Sequence, residues 1–376
     1  MTAPFVIPLA IYLLGENAPV GFITGFPLLV VPVAQYLSRY FSRKVNDLKK
    51  LTFYTTLFDR ILWVPVVFLV FVHGQLLAYM LLIVLLTART FFASFSGTTW
   101  TLWVPGVIPS HRRASYFAFR NFIMKIFSLV GYALALGIFL GVKSEQIAFI
   151  TVFLSGALIF SSISLLIMRR IDPYSIPEIE KNHENKTWTK SYLNFVTFAL
   201  FWGIGYSMIL PYFQLYLISP AYLGQTEIFY TFVYIVISIS FITSQILWGN
   251  FASKYGNFKI IIFSSFLSIV SSGLIPLAHS TIVILLPAIL YGIGQSGVTL
   301  SFFNEMLNRS DSSRINSISM YNLIQAISIG IGPILANFLI ETFRFSIVAI
   351  FGTSVTVMVF ALAFFMLTDL SHRERT

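Results

Sequence analysis

The chain contains no cysteine, which excludes disulfides and thiolate metal sites. Charge is almost as scarce: 10% of the residues are Asp, Glu, Lys or Arg, against 57% hydrophobic. A soluble globule of 376 residues needs more polar surface than this, so that class is excluded. No basic stretch precedes the first apolar residues, and a cleavable signal peptide is not expected. The sequence has no Walker loop, which argues against transport powered by its own ATP hydrolysis. His73 and His279 stand singly, without metal-ligand neighbours. No enzyme activity, metal or cofactor is therefore expected.

What the chain has instead is a series of long, unbroken apolar runs, with a mean hydropathy of +0.83. A bilayer core takes about 20 apolar residues per helix, so the length suits about a dozen crossings. Membrane barrel strands would read as alternating segments of about ten residues. The fold class is all-α, a polytopic membrane protein. Predicted helices cover about 3–14, 20–37, 51–72, 76–95, 117–140 and 147–168 in the first half. In the second they cover about 192–218, 228–248, 259–278, 282–303, 315–340 and 345–367.

Between them, residues 169–191 carry mixed charge and two prolines, the pattern of a polar linker. The expected organisation is an N-terminal bundle at 1–168, this linker, and a C-terminal bundle at 192–376. A net charge of +10 could suggest nucleic acid, but its placement argues otherwise. Alternate loops and the C-terminal tail hold nearly all the loop lysines and arginines, while the opposite loops offer only Lys143 and Arg344. By the positive-inside rule the basic loops and the C-terminus are cytoplasmic. The basic charge then reports topology and contact with anionic lipid headgroups. The glycosylation sequons at Asn185 and Asn308 fall on that same side and are read as void.

Two polar, basic stretches occupy equivalent places: Ala34 to Lys44 (AQYLSRYFSRK) and Gly249 to Lys259 (GNFASKYGNFK). A second match is RASYFAFRN, Arg113 to Asn121, against RINSISMYN, Arg314 to Asn322. Two matches in the same order indicate an internal repeat of two six-helix bundles, a common transporter design. In this alignment Pro4 to Ile11 corresponds to Pro211 to Ile218, yet almost nothing precedes Pro4. The first helix is therefore incomplete; the favoured reading is that Met1 falls inside a longer native helix, the other that its cytoplasmic half has been lost.

These stretches resemble the loop motif G-x-x-x-D-R-x-G-R-[KR] of the major facilitator superfamily. Gly249, Lys254, Gly256 and Lys259 look like its second copy, and Arg39 and Arg43 like its first. Trp100 to Asn121 is similar to a W-x-x-W…P…R-R…F…R-N stretch in prokaryotic members, drug-efflux-like transporters among them. Ser38 and Ser253 stand where the family has Asp. A serine brings no charge, so the cytoplasmic lock that the resemblance implies is weaker here, even if the hydroxyl caps a helix.

Ionisable groups inside membrane helices are costly and so become candidates. Asp59 and Arg89 lie at similar depth in neighbouring predicted helices and could pair. Arg89, Ala93 and Gly97 resemble a family motif whose arginine is implicated in proton coupling; the plain alternative is a static ion pair. Glu305 is a coupling carboxylate or a solvated end residue. The resemblance makes the first, fourth, seventh and tenth helices pathway-lining, which gives Tyr12, Trp202, Tyr206, Gln214 and Gln295 as substrate-cavity candidates. Few charges among them suit apolar, aromatic or weakly cationic molecules. The expectation is a monomeric secondary transporter in the cell membrane, exporting hydrophobic or amphipathic compounds with the proton gradient. Uptake of a small metabolite, or a non-transporting sensor of the same fold, are the alternatives.

Overall fold

The computed structural model describes residues 5–14, 19–42, 44–45, 47–72, 75–107, 113–142, 145–154, 156, 161–170, 188–309 and 314–373. Most of the polar linker expected at 169–191 lies outside these residues, as do Lys143, His73 and Asn185. Among the described residues, ten helical segments are long and apolar enough to cross a membrane.

By backbone contacts the chain separates into two units. The first is Met1–Pro19 with Phe26–His183; the second is Val20–Gly25 with Glu184–Thr376. In chain order the helices are α1 (Val6–Leu14), α2 (Val20–Leu29), α3 (Val31–Ser42), α4 (Leu48–Ile61), α5 (Trp63–Phe68), α6 (Gln75–Val107), α7 (Arg113–Gly141), α8 (Glu145–Leu154) and α9 (Ser161–Arg170). Then come α10 (Lys190–Ile218), α11 (Glu227–Tyr255), α12 (Asn257–Leu274), α13 (Leu285–Arg309), α14 (Arg314–Phe343) and α15 (Ile347–Arg373).

Proline explains the interruptions in the first unit. Pro32 has no N–H to offer the Leu28 carbonyl, and Pro65 none to offer that of Ile61. The chain leaves regular helix at Val30 and Leu62, so two expected helices each appear as a pair, α2 with α3 and α4 with α5. The connection expected around 98–121 is instead largely helical: α6 runs on through Val107 and α7 opens at Arg113. Arg314 opens α14 in the same way, so both halves of the RASYFAFRN match begin a helix.

The two basic stretches also differ from the turns expected of them. Ala34 to Ser42 belongs to α3, and Gly249 to Tyr255 forms the last two turns of α11. Only Gly256 separates α11 from α12. Its φ of +83° is a conformation that glycine adopts without strain and other residues rarely adopt. The helix expected at 282–303 extends to Arg309, which places Glu305 and Arg309 on one helix face rather than in a loop.

Two kinds of packing hold the second unit. At one level the rings of Phe195, Phe198, Trp202, Phe302 and Phe365 fill the space between α10, α13 and α15, with Phe198 and Phe365 stacked at 4.5 Å. Elsewhere small residues bring helix backbones together, as membrane helices do in place of a hydrophobic drive. Added Cβ atoms at Gly203 and Gly332 of α10 and α14 would strike the Ser328 and Ser207 hydroxyls. Gly205 lies as close to α15, whose Ser354 hydroxyl donates to the Gly205 carbonyl at 2.5 Å. Gly21, at the start of α2, meets Pro333 and Asn337 of α14 in the same manner.

Candidate functional site

In the first unit, α4 and α6 lie side by side and bring three charged groups together. Asp59 is 3% exposed. Its Oδ1 is 3.2 Å from Arg89 Nε, and its Oδ2 is 3.3 Å from Arg60 Nη1. The Arg89 contact is off the hydrogen-bond direction, so both atoms are ion-paired without a hydrogen bond, and Arg60 Nε is likewise buried without an acceptor. The Arg89 guanidinium also lies 4.5 Å above the Trp63 ring, a cation–π contact. One carboxylate thus serves two guanidiniums. Tyr12, on α1, is 40% exposed.

In the second unit, Glu305 is not a solvated end residue. It is 8% exposed and pairs at 2.7 Å with Arg309, one turn further along α13. Arg309 also binds the carboxylate of Asp369 on α15 and donates to the Ser191 carbonyl and hydroxyl on α10. The Phe195 and Phe365 rings flank it at 5.7 and 5.4 Å. This closes the aromatic core at the end of α13 with one cation and two anions.

A third cluster is uncharged. Tyr206 on α10 and Tyr291 on α13 share a hydrogen bond between their hydroxyls at 2.7 Å, and their rings stack at 6.1 Å. Phe213 stacks on the other partner of that pair, Tyr291, at 6.5 Å. Next to Phe213, Gln214 donates from Nε2 to the Tyr234 hydroxyl of α11 at 2.8 Å. Its carbonyl oxygen, Oε1, is buried with no partner. Gly292 makes the close approach possible, since a Cβ there would sit 2.5 Å from the Ile237 carbonyl of α11.

The remaining candidates are dispersed. Trp202 is 3% exposed within the aromatic core, and Gln295 is buried with Nε2 3.5 Å from the Ser268 hydroxyl. Ser38 and Ser253 both lie inside helices. Their hydroxyls donate to carbonyls three residues back, Gln35 and Asn250, both at 2.8 Å. Neither serine caps a helix, which corrects that expectation: Gly256 occupies the cap before α12 and has no side chain to give. Arg39, Gly249, Lys254 and Lys259 are exposed, and Arg43 lies outside the described residues. Each basic stretch sets a lysine on a tyrosine, Lys44 at 4.2 Å from the Tyr40 ring and Lys254 at 5.1 Å from that of Tyr255.

The sequence matches the model of the Major Facilitator Superfamily over residues 1–317. The chain belongs to that family. No curated protein matches it. Among solved structures it is similar to a bacterial homologue of the iron transporter ferroportin in an inward-facing state, with 13% identity and a TM-score of 0.71 over 97% of this chain and 92% of the other. The nucleoside transporter NupG is similar at 14% identity and a TM-score of 0.68, over 97% and 95% of the two chains. A bacterial metal transporter follows at 14% identity and 0.59, over 97% and 98%. At this identity the likeness shows the fold alone; the family match and the ten candidate spans among the described residues give a multi-pass membrane transporter.

Sequence reasoning missed Arg309, Asp369, Tyr234 and Tyr291. The Glu305-x-x-x-Arg309 spacing is a readable signal, hidden because the apolar run stops near residue 303 while the helix continues to Arg309. Tyr291 adjoins Gly292, but among 39 Phe and 18 Tyr one aromatic residue does not stand out.

Proposed function

We propose that this chain is a secondary active transporter working by alternating access, coupled to the proton gradient, that exports hydrophobic or amphipathic small molecules across the cell membrane with its C-terminus in the cytoplasm. The observation carrying the coupling is the Asp59 carboxylate shared by Arg60 and Arg89 inside apolar spans. A static membrane ion pair needs one partner on each side, and here the carboxylate has a second, Arg60, whose side chain is 34% exposed where that of Asp59 is 4%. Two guanidiniums on one carboxylate leave an arrangement in which the partner can change. Protonation of Asp59 frees both, with Arg89 left on the Trp63 face.

The uncharged ring-and-amide cluster supports the substrate class. Phenols and an amide recognise a molecule by hydrogen bonds and stacking, without a counter-charge. The outward direction follows from that class. Molecules of large apolar area already enter across a bilayer unaided, so a coupled carrier changes their distribution by moving them out.

The test is flux of the uncharged lipophilic dye Nile red in proteoliposomes, with and without an imposed pH gradient. The expected result is gradient-driven flux in the wild type and its loss in Arg89→Ala and Asp59→Asn, each still folded. Wild-type flux indifferent to the gradient, or gradient-driven flux retained in Arg89→Ala, would remove the coupling.

A further inference from the structure

The cluster formed by α10, α11 and α13 has a hydrogen-bonding inventory that does not close. Tyr206 and Tyr291 have two hydroxyl protons between them and spend one on their mutual bond. Whichever oxygen accepts that bond keeps an O–H to give. Gln214 spends an N–H on Tyr234 and keeps its Oε1 buried and unpaired. A buried carbonyl without a donor is destabilising, so its retention needs a reason. Both tyrosines keep some exposed surface while lying deep among protein atoms. All four polar side chains are uncharged, so an ionic ligand would lose its hydration and gain no counter-charge from them.

We infer that Tyr206, Tyr291 and Gln214 form a subsite for a planar, uncharged ring that carries an N–H beside a C=O on one edge, the edge of a cyclic amide. The spare phenol O–H donates to the ligand carbonyl, and the ligand N–H donates to Gln214 Oε1. The ring then lies along the stack of Phe213, Tyr291 and Tyr206, where offset aromatic contact adds to burial. The inference rests on the transporter reading above and narrows its substrate class.

One consequence is specific to a shared proton. Removing either hydroxyl alone leaves the other free to donate to the ligand, so Tyr206→Phe and Tyr291→Phe each keep the carbonyl contact. Only the double variant loses it.

The test measures binding to the purified full chain by thermal stabilisation. The probes are isoquinolinone, its N-methyl derivative, which lacks the N–H, and isoquinoline, which also lacks the C=O. The wild type is expected to bind isoquinolinone about tenfold more tightly than the N-methyl compound, the effect of one missing hydrogen bond that strands a buried acceptor. Gln214→Leu should abolish that preference, and the double Phe variant should abolish the preference for a carbonyl that both single variants retain. Equal or absent binding of isoquinolinone and its N-methyl derivative by the wild type overturns the subsite, and this arm needs no variant to fold. Preference that survives Gln214→Leu, or single Phe variants that match the double, overturns it too. If these arms fail while dye flux still follows the pH gradient, the subsite falls and the transporter reading stands. If the probes discriminate but no gradient drives flux, the reverse holds.

Discussion

Asp59 on α4 lies 3.2 Å from Arg89 on α6, charge against charge with no hydrogen bond between the atoms concerned. Removing Asp59 leaves both Arg89 and Arg60 without a counter-charge, whereas removing Arg89 leaves Asp59 paired with Arg60. Asp59→Asn should cost about 3 kcal/mol, near the lower end for breaking a buried pair, and Arg89→Gln less. The double variant should recover most of that loss, and a double variant as unstable as the two losses added together would mean that the pair is not coupled. Unfolding of the purified protein in detergent reads both.

Arg309 is held by two carboxylates and by Ser191. Replacement by Met leaves Glu305 and Asp369 facing each other without a cation, a loss of about 3–5 kcal/mol. Lysine keeps the charge but lacks the planar fork that reaches several acceptors, so Arg309→Lys should fall between Met and wild type. Glu305→Gln should be the mildest of the three, because Asp369 still pairs. Thermal unfolding ranks them.

Gly332 and Gly352 make a matched comparison. A Cβ at Gly332 would overlap the Ser207 hydroxyl and lie 2.5 Å from the Ile204 carbonyl, whereas at Gly352 it would meet nothing within 4 Å. Gly332→Ala should lose about 1–3 kcal/mol by overpacking. Gly352→Ala should gain up to about 1 kcal/mol, since alanine restricts the unfolded chain. The same melting experiment checks both.

Asp47 caps α4, its carboxylate accepting the Lys50 N–H at 2.9 Å. That backbone bond, with help from the lysine charges, holds the carboxyl below its usual value. A lowered folded value adds stability that is complete above the unfolded value of about 4 and fades as pH falls through the folded one. Asp47→Ser keeps a cap but cannot titrate, so its stability should change less than wild type's below about pH 4. Asp47→Ala should lose about 1 kcal/mol at neutral pH.

Gly256 and Gly249 lie within one motif but should respond oppositely. Alanine at Gly256 is forced to a φ of +83°, at a cost of about 1–3 kcal/mol. Gly249 is inside α11 with open space around it, so alanine there should stabilise by about 0.5–1 kcal/mol.

The helices and the family were legible because hydrophobic run length and loop charge act locally and survive any packing. Asp59 with Arg89 was also legible, since two charges in adjacent apolar runs have few other partners. Helix ends were less so. Nothing in GNFASKYGNFK shows that α11 runs on to Tyr255, because a polar helix end at the membrane surface and a polar turn share a composition. The polar end of α13 is hidden for the same reason, and Arg309 with it. The Tyr206 and Tyr291 contact joins residues 85 apart. Such a pairing depends on how helices are rotated against each other, which apolar composition on all sides leaves undetermined.

The single residue between α11 and α12 also sets a mechanical condition. α12 buries Ser264, Ser265, Ser268, Ser271 and Ser272, and packs against α13. One inserted residue would roll α12 by about 100° and turn those serines out of the seam. In the first half, by contrast, α3 ends at Ser42 and α4 begins at Leu48. The corner at Gly256 therefore passes any rotation of α11 straight into α12.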